Sequence, residues 1–391
     1  MDIETRIRRR QRSEEGGHVV REYEALSPVA HVEEPTGRGA LIETLLDHFE
    51  PVFEGALPPD AYVWGPAGAG KSAVVTALFE KLSASLTRSS AVIHTSTRPQ
   101  TASVPAFVYV DARRARSEFG LLRAVLNAVV EEPVPRQGIS TETLRSRLVE
   151  QFRPVQRGAV VAVDHLGEPG GSDLSTLTET FSPVARSLSL IAVGRTPPAE
   201  VAASPAANIE MPAYERHALA ELLTARGSDG LAEGAVTHDQ VLDIADWAAG
   251  DAHDALAALF GAADLADAAG YDHVRERDLA DGMAAVPRPS APLGRVYTLA
   301  ENRQRLLRRL VDLDDDATAS VDAAAAAIAE SPAVDLSAGT VRRALYELTE
   351  TGILQRVTTD DTTSAGRPPS RIEPRFPTLV FRRLYDLANR S

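Results

Sequence analysis

Apolar residues in the first half of the chain follow two alternating patterns. Short continuous apolar runs are typical of buried strands, and they occur at Tyr62–Trp64, Phe107–Asp111, Val160–Asp164, Leu188–Gly194 and, more weakly, Asn208–Met211. Between them, Phe119–Val130 and Thr141–Phe152 repeat apolar residues at helical spacing. Strands that alternate with helices predict an α/β fold with a parallel sheet, whose ligands bind at the carboxyl ends of the strands.

The second half begins with a different pattern. From Tyr214 to about Ala285 the chain is rich in alanine and contains no strand-like run. Larger apolar residues recur at helical spacing and predict the inner faces of a small helical bundle: Leu219, Leu222, Leu223, Val241, Leu242, Ile244, Leu256, Leu259 and Phe260. Asp251 follows Gly250 and is the predicted N-cap of the last large helix.

The proline-rich stretch Val286–Gly294 marks a linker, and a third pattern follows it. Three helices, two strands around a polar loop, and a closing helix at Leu379–Asn389 predict a winged helix, a variant of the helix-turn-helix. The predicted boundaries are a disordered basic arm at 1–20, a core at 21–213, a helical lid at 214–286, a linker at 287–296 and a winged-helix domain at 297–391.

Composition narrows the class of protein. The chain has 391 residues, no cysteine, 44% hydrophobic residues and a net charge of −14. Disulfides and thiolate sites are therefore excluded, no apolar run predicts a membrane span, and the charged N-terminus does not resemble a signal peptide, so we expect a soluble cytoplasmic protein. Lys71 and Lys81 are the only lysines, and this excess of acid with scarce lysine indicates adaptation to high salt or a GC-rich genome.

The strongest motif follows the first predicted strand. Gly-Pro-Ala-Gly-Ala-Gly-Lys-Ser at 65–72 matches the phosphate-binding loop GxxxxGKS in its required strand–loop–helix setting. Backbone N–H groups at a helix N-terminus attract phosphate, Lys71 is expected at the β- and γ-phosphates, and the Ser72 hydroxyl at Mg²⁺. The predicted ATP- or ADP-binding residues here are Gly65, Pro66, Ala67, Gly68, Ala69, Gly70, Lys71, Ser72 and Ala73.

A magnesium site needs an acidic partner on a neighbouring strand. Asp164 ends the apolar run "GAVVAVD" and is predicted to hold the metal through water, together with Ser72. The alternative is a core strand that ends in aspartate by chance.

Several stretches occur in the order found in one known family. GPAGAGKS is followed by "FVYVDARR", "GISTETLRSRL", "VVAVDHL", "IEMPAYERHALAELLTARG" and "IADWAAGDAHDALAALFGAADLADAAG". The set resembles the AAA+ initiators of archaeal and eukaryotic replication, the large subunit of the origin-recognition complex and its loader relative. The resemblance implies an AAA+ parallel-sheet P-loop core with an α-helical lid and a C-terminal winged helix. It also implies that Tyr214, Arg195 and His253 lie in the nucleotide site.

The resemblance is incomplete where hydrolysis is concerned. His165 follows Asp164 where active members carry a water-polarising glutamate, Gly194-Arg195-Thr196 occupies the first-sensor region, and His253 stands at the second-sensor arginine. His253 is equally interpretable as a surface residue. The segment 196–212, where relatives carry an arginine finger that acts on a neighbouring copy, contains no arginine. An arginine finger contributes about 10³–10⁵ in rate, so we expect weak or absent ATPase activity, with His165 the doubtful catalytic candidate, and a monomer.

The winged helix carries the candidate DNA contacts. In its third helix, Thr340, Arg342, Arg343 and Tyr346 are predicted to contact double-stranded DNA. In its wing, the predicted contacts are Arg367, Arg371 and Arg375. Alternatively, these arginines pair with neighbouring acids on the surface. The arginine-rich run at residues 6–12 is either a second DNA-contacting arm or a charged tail.

Two classes of function follow. The first is an ATP/ADP-binding, DNA-binding protein related to replication initiators, in which nucleotide controls the domain arrangement and partners include replication or regulatory proteins. The alternative is an active ATPase switch whose winged helix binds a protein. A structural fold without nucleotide is the third possibility.

Overall fold

A computed structural model describes residues 19–93, 104–153, 158–169, 171–202, 205–358 and 370–389. Two compact units divide it: the core unit, His31–Tyr214, and the lid–wing unit, which combines the residues up to Ala30 with Glu215–Ser391. Residues 19–30 therefore group with the lid, although the sequence predicts that the core begins at residue 21. The basic run at 6–12 and Arg367 lie outside the described residues.

The core unit is built on a parallel sheet of five strands in the order β2-β3-β4-β1-β5. The strands are β1 Ala61–Trp64, β2 Ala106–Asp111, β3 Ala159–Leu166, β4 Leu188–Gly194 and β5 Ala207–Glu210. Each lies within about a residue or two of its predicted run, and the expected α/β class is confirmed. Parallel pairing brings the carboxyl ends of β3, β4 and β1 to one edge, with Leu166 and Trp64 both in register with Gly194.

Helices cover both faces of this sheet. They are α2 Gly39–Phe53, α3 Lys71–Ile93, α4 Glu118–Val129, α5 Thr141–Gln151 and α6 Leu174–Phe181. Alternate residues of β3 enter two separate apolar layers: Val161 and Val163 pack with α4 and α5, while Val160 and Ala162 pack with α2 and α3. This explains the unbroken apolar run in the sequence, because a central parallel strand is buried on both faces.

The lid–wing unit begins with the short helix α1 Tyr23–Leu26 and continues with four lid helices. These are α7 Arg216–Gly230, α8 His238–Ala248, α9 Ala252–Ala268 and α10 Glu276–Ala284. Asp251 caps α9 by accepting a hydrogen bond from the Asp254 N–H, as the sequence predicts.

A winged helix follows the lid within the same unit. It comprises α11 Leu293–Tyr297, α12 Glu301–Leu310, α13 Val321–Ala329, α14 Ala338–Glu350, the antiparallel pair β6 Leu354–Thr358 and β7 Ser370–Pro374, and α15 Thr378–Ala388. The predicted order of helices and strands is therefore observed. The described residues contain no helix that is both long and apolar enough to cross a membrane.

Buried polar contacts join the lid to the winged helix. Asp264 on α9 is buried and accepts hydrogen bonds from the Tyr23 hydroxyl (2.9 Å) and from Nε of Arg383 on α15. The predicted linker is itself anchored, since the Leu293 N–H donates to Nε2 of His253 (2.9 Å). The lid and the winged helix are thus packed as parts of one body.

Close packing of α9 against α10 generates the first prediction. A Cβ at Gly282 would lie 2.6 Å from Ala262 N, whereas one at Gly339 meets nothing within 4 Å. We expect Gly282→Ala to lower the free energy of unfolding by about 1–3 kcal/mol, because overpacking displaces backbone. The matched Gly339→Ala should be neutral or stabilising by up to about 1 kcal/mol. Urea unfolding followed by circular dichroism measures both, and equal effects would contradict the packing argument.

Candidate functional site

The phosphate-binding loop connects β1 to α3 and depends on glycine at two close approaches. Gly65 has a φ of 155°, and a Cβ there would lie 2.0 Å from the Met211 carbonyl oxygen. Gly70 has a φ of 79°, and its Cβ would lie 2.8 Å from the Tyr214 hydroxyl. Any other residue would push the loop off the segment after β5, so these glycines fix the shape of the turn.

Lys71 lies inside the loop that precedes it. Its side chain is buried, and Nζ donates hydrogen bonds to the carbonyl oxygens of Gly65 (2.8 Å) and Pro66 (2.6 Å). The ammonium group therefore sits at the N-terminus of α3, where backbone N–H groups and the helix dipole both favour an anion. Ser72 follows in the first turn of α3 and is partly exposed. The loop residues Pro66, Ala67, Gly68 and Ala69, with Ala73 in the helix, complete the predicted set.

Asp164 is buried at the carboxyl end of β3 and shares its two oxygens between two donors. The Tyr109 hydroxyl donates to Oδ2 (2.7 Å) and the His165 backbone N–H donates to Oδ1 (2.6 Å). Burial, followed by the charge of Asp164, raises the pKa of Tyr109, so this tyrosine stays a donor. A carboxylate and a hydroxyl are hard oxygen ligands of the kind Mg²⁺ prefers, and Ser72 and Asp164 supply that donor set.

His165 adopts a backbone conformation that its neighbours in β3 do not. One extra residue interrupts the β3–β4 pairing between Val163 and Leu166, and His165 there has a φ of 65°. Left-handed backbone is uncommon for a side-chain-bearing residue, but histidine tolerates it better than most. The bulge turns the imidazole toward two acids, with Nε2 3.6 Å from Asp164 Oδ2 and Nδ1 3.7 Å from Glu168 Oε1.

Further charged residues surround this histidine, and three of them, Asp111, Arg113 and Glu168, were not selected from the sequence. Arg113 pairs with Asp111 through two hydrogen bonds of 2.9 Å, and Arg195 Nη2 lies 3.4 Å from Glu168 Oε1. Burial alone would raise the pKa of Asp111, but the hydrogen bonds and charge of Arg113 lower it. Asp111 and Arg113 lie in "VDARR" and Glu168 lies in "DHLGE". The spacing within these two stretches does not indicate that two strand ends bring the residues together.

Arg195 directly follows β4, the strand between β3 and β1. Its side chain is 40% exposed and pairs with Glu168 as described above. The sheet order therefore places it at the edge that also carries Asp164 and the start of the phosphate loop. Arg195 therefore lies at the edge of the candidate site, and its first-sensor role remains a prediction.

Tyr214 contacts the phosphate loop from the segment after β5. It is buried, its hydroxyl packs on Gly70, and the Arg38 guanidinium lies 3.5 Å from its ring centroid. Burial raises the pKa of Tyr214, and the charge of Arg38 partly opposes this shift. Sequence reasoning missed Arg38, because its motif "PTGRGAL" does not distinguish it from other arginines.

His253 lies in the lid–wing unit and is held by neighbours within that unit. Nδ1 lies 3.2 Å from Asp254 Oδ1, and Nε2 accepts the hydrogen bond from Leu293 N–H. Both ring nitrogens therefore have protein partners in this structure. Its predicted role at a phosphate remains a prediction.

The predicted recognition helix is α14, and its residues divide as expected. Val341, Ala344, Leu345 and Leu348 are buried, whereas Arg342, Arg343 and Tyr346 are exposed. Thr340 is partly exposed, and its hydroxyl lies 3.0 Å from Ser337 Oγ in the cap of the helix. Arg342 pairs with Asp322 (2.9 Å), an exposed ion pair that contributes little to stability.

The wing arginines point to different parts of the unit. Arg371 on β7 pairs with Glu373 (2.5 Å). Arg375 contacts the linker, donating from Nη2 to the Pro289 carbonyl (3.4 Å) while its own carbonyl accepts from Ala291 N–H. Arg367 lies outside the described residues, as does the arginine run at 6–12.

Comparisons with known proteins agree with this geometry. Residues 34–193 match the family model of the AAA ATPase domain. ORC1-type DNA replication protein 5 of Halobacterium salinarum is 27% identical over 272 residues, which span 61% of this chain and 60% of that protein. The structure of the Aeropyrum pernix Orc1 protein in complex with DNA matches 95% of this chain and 97% of that one, with a TM-score of 0.61 and 21% identity.

The chain therefore contains an AAA ATPase domain, and its wider similarity is to AAA+ proteins of the ORC1/Cdc6 type. Cdc6p of Pyrobaculum aerophilum has the same fold over 95% of this chain and 99% of that one, with a TM-score of 0.54 and 18% identity. At these identities the structural matches establish the fold alone: a parallel sheet with a helical lid and a C-terminal winged helix. The expectation drawn from the ordered motifs is confirmed.

The environment of His165 predicts how stability changes with pH. Burial lowers the pKa of His165, although Asp164 opposes the shift, so the unfolded chain takes up a proton at a higher pH than the folded protein. Below about pH 6.5, the pKa of histidine in the unfolded chain, protonation of the unfolded chain therefore lowers the free energy of unfolding. From pH 7 to pH 5, the wild type should lose more unfolding free energy than His165→Asn, a variant that tolerates the left-handed backbone. Urea titrations at each pH test this, with His31→Asn as the exposed control; parallel curves for all three proteins would refute it.

Proposed function

We propose that this protein binds ATP or ADP with Mg²⁺ on the phosphate loop, hydrolyses ATP weakly or not at all, and binds double-stranded DNA through its winged helix. The observation that carries the nucleotide proposal is the position of Lys71 within the loop, at the sheet edge that also carries buried Asp164. The DNA proposal rests on the exposed arginines of α14. The Aeropyrum pernix Orc1 protein, which has the same fold, was solved in complex with DNA.

Nucleotide binding uses groups that this chain retains. The backbone N–H groups of the loop and the first turn of α3 bind phosphate oxygens. Lys71 Nζ exchanges its two carbonyl partners for phosphate oxygens, which compensates its charge better than neutral carbonyls do. Ser72 and Asp164 would hold the metal, which supplies charge neutralisation at the phosphates.

Weak hydrolysis follows from what surrounds the metal carboxylate. The residue after Asp164 is a histidine whose ring is mostly buried and faces Asp164 and Glu168 instead of standing free to polarise water. Burial lowers its pKa, so the imidazole is neutral near pH 7 and lacks the negative charge of a glutamate. No arginine occurs in the segment 196–212 to stabilise the transferring phosphoryl group.

The two lysines of the chain provide a matched test of nucleotide binding. Wild-type protein should bind ADP or retain it through purification, and its ATP turnover should stay below about one per minute because the transition-state groups are missing. Lys71→Ala should bind no nucleotide, since one buried cation is removed from the loop. Lys81→Ala, an exposed residue of the same helix paired with Glu33, should behave as wild type. Fast turnover that Lys71→Ala abolishes would contradict the proposal of weak hydrolysis.

DNA binding predicts a loss in the recognition-helix variant. Arg342→Ala/Arg343→Ala should weaken retention of duplex DNA on filters and reduce the slope of log K against log salt by about 0.9 for each phosphate contact removed. Arg277→Ala on α10, whose side chain is 84% exposed, is the control and should leave the slope unchanged. The assay uses random and genomic duplexes in molar KCl, with and without ATP, because coupling requires nucleotide to bind the DNA-bound and free forms unequally.

A second candidate is an ATPase switch whose winged helix binds a protein partner. The ion pairs of Arg342 with Asp322 and of Arg371 with Glu373 favour it, because these arginines already have carboxylate partners. The absence of DNA retention at any salt concentration would select this alternative. A monomeric state and replication or regulatory partners remain predictions.

A further inference from the structure

We propose that Arg38 is a positioning residue that holds the phosphate loop in its anion-binding shape through a clamp formed with Tyr214. The inference rests on the proposed nucleotide binding and assigns part of it to a residue outside the loop motif. Arg38 lies at the N-cap of α2, 31 residues before Ala69, and its side chain is 5% exposed.

The Arg38 guanidinium donates hydrogen bonds to two carbonyl oxygens in different segments of the chain. Nη2 donates to Ala69 in the phosphate loop (2.8 Å) and to Pro212 after β5 (2.9 Å). The guanidinium lies over the ring of Tyr214, whose hydroxyl packs against Gly70. The clamp therefore touches Ala69 and Gly70, the two residues directly before Lys71.

The planar peptide bond explains why this contact matters for anions. In a trans peptide the carbonyl of one residue and the N–H of the next point in opposite directions. Arg38 draws the Ala69 carbonyl to its own side, so the Gly70 N–H is turned to the opposite side. A carbonyl in the reverse orientation would present negative potential to a phosphate, whereas an N–H binds it.

The guanidinium is not placed for stability alone. Arg38 Nε is buried and has no hydrogen-bond partner among the described residues. A buried donor without a partner is unfavourable, so an apolar side chain packed on Tyr214 would suit the fold at least as well. In this position the charged group can orient a loop carbonyl and raise the positive potential beside the phosphate site.

The experiment measures binding of inorganic tripolyphosphate, ADP and ATP, each with Mg²⁺, by calorimetry on the full chain. Arg38→Ala should weaken all three by a similar factor, about tenfold, because the loop is misaligned while the base-binding surface is unchanged. Arg38→Lys should recover part of the loss, since an ammonium can donate to Ala69 but cannot stack as a plane on Tyr214. Arg186→Ala, an exposed arginine of the same unit, is the control.

Four results would overturn the proposal. Loss of ATP and ADP binding with tripolyphosphate binding intact would make Arg38 a base contact instead. Equal binding by Arg38→Ala and wild type would show that the loop does not need the clamp. A melting temperature that falls in Arg38→Ala and in Arg38→Lys alike, with no recovery of affinity in the latter, would mark a purely structural role. If wild-type protein binds none of the three ligands, the proposed nucleotide function fails, and the clamp fails with it.

Discussion

Parallel pairing of β3, β4 and β1 is the constraint on which the candidate site depends. Strands that run in one direction end at one edge, so Asp164, Arg195 and Gly65 lie at the same edge of the sheet although about 130 residues separate β1 from β4. The register is fixed by burial on both faces of the sheet, since a slip of one residue would exchange the two apolar layers of β3. The packing of the hydrophobic core therefore also determines where the residues of the candidate site lie.

The groups around Asp164 form a polar network in a mostly apolar setting. Tyr109 donates to Asp164, His165 lies within 4 Å of both Asp164 and Glu168, and Arg113 pairs with Asp111. Low local dielectric strengthens such contacts, and it also disfavours the charged form of a buried imidazole. A neutral histidine in a strand bulge is compatible with metal binding by the neighbouring aspartate and poorly suited to polarising water. A nucleotide-binding protein with slow hydrolysis is consistent with both.

In the lid–wing unit, a single buried carboxylate joins three distant segments. Asp264 on the lid receives Tyr23 from the N-terminal segment and Arg383 from the last helix of the winged helix. Removing the Arg383 side chain would leave the Asp264 carboxylate buried without a compensating charge, which is strongly unfavourable. The exposed face of α14 therefore belongs to the same compact unit as the lid.

Local patterns in the sequence determined the elements, their order and the phosphate loop, because strand and helix periodicity, glycine spacing and helix caps act over a few residues. They also predicted the apolar and exposed faces of α14. Only the tertiary structure determined which residues contact one another. It showed that His165 lies in a bulge, that His253 bonds to Leu293, that residues 19–30 pack with the lid and that Arg38 reaches Ala69. Contacts across long stretches of chain depend on how whole elements pack, and no pattern within a single segment encodes them.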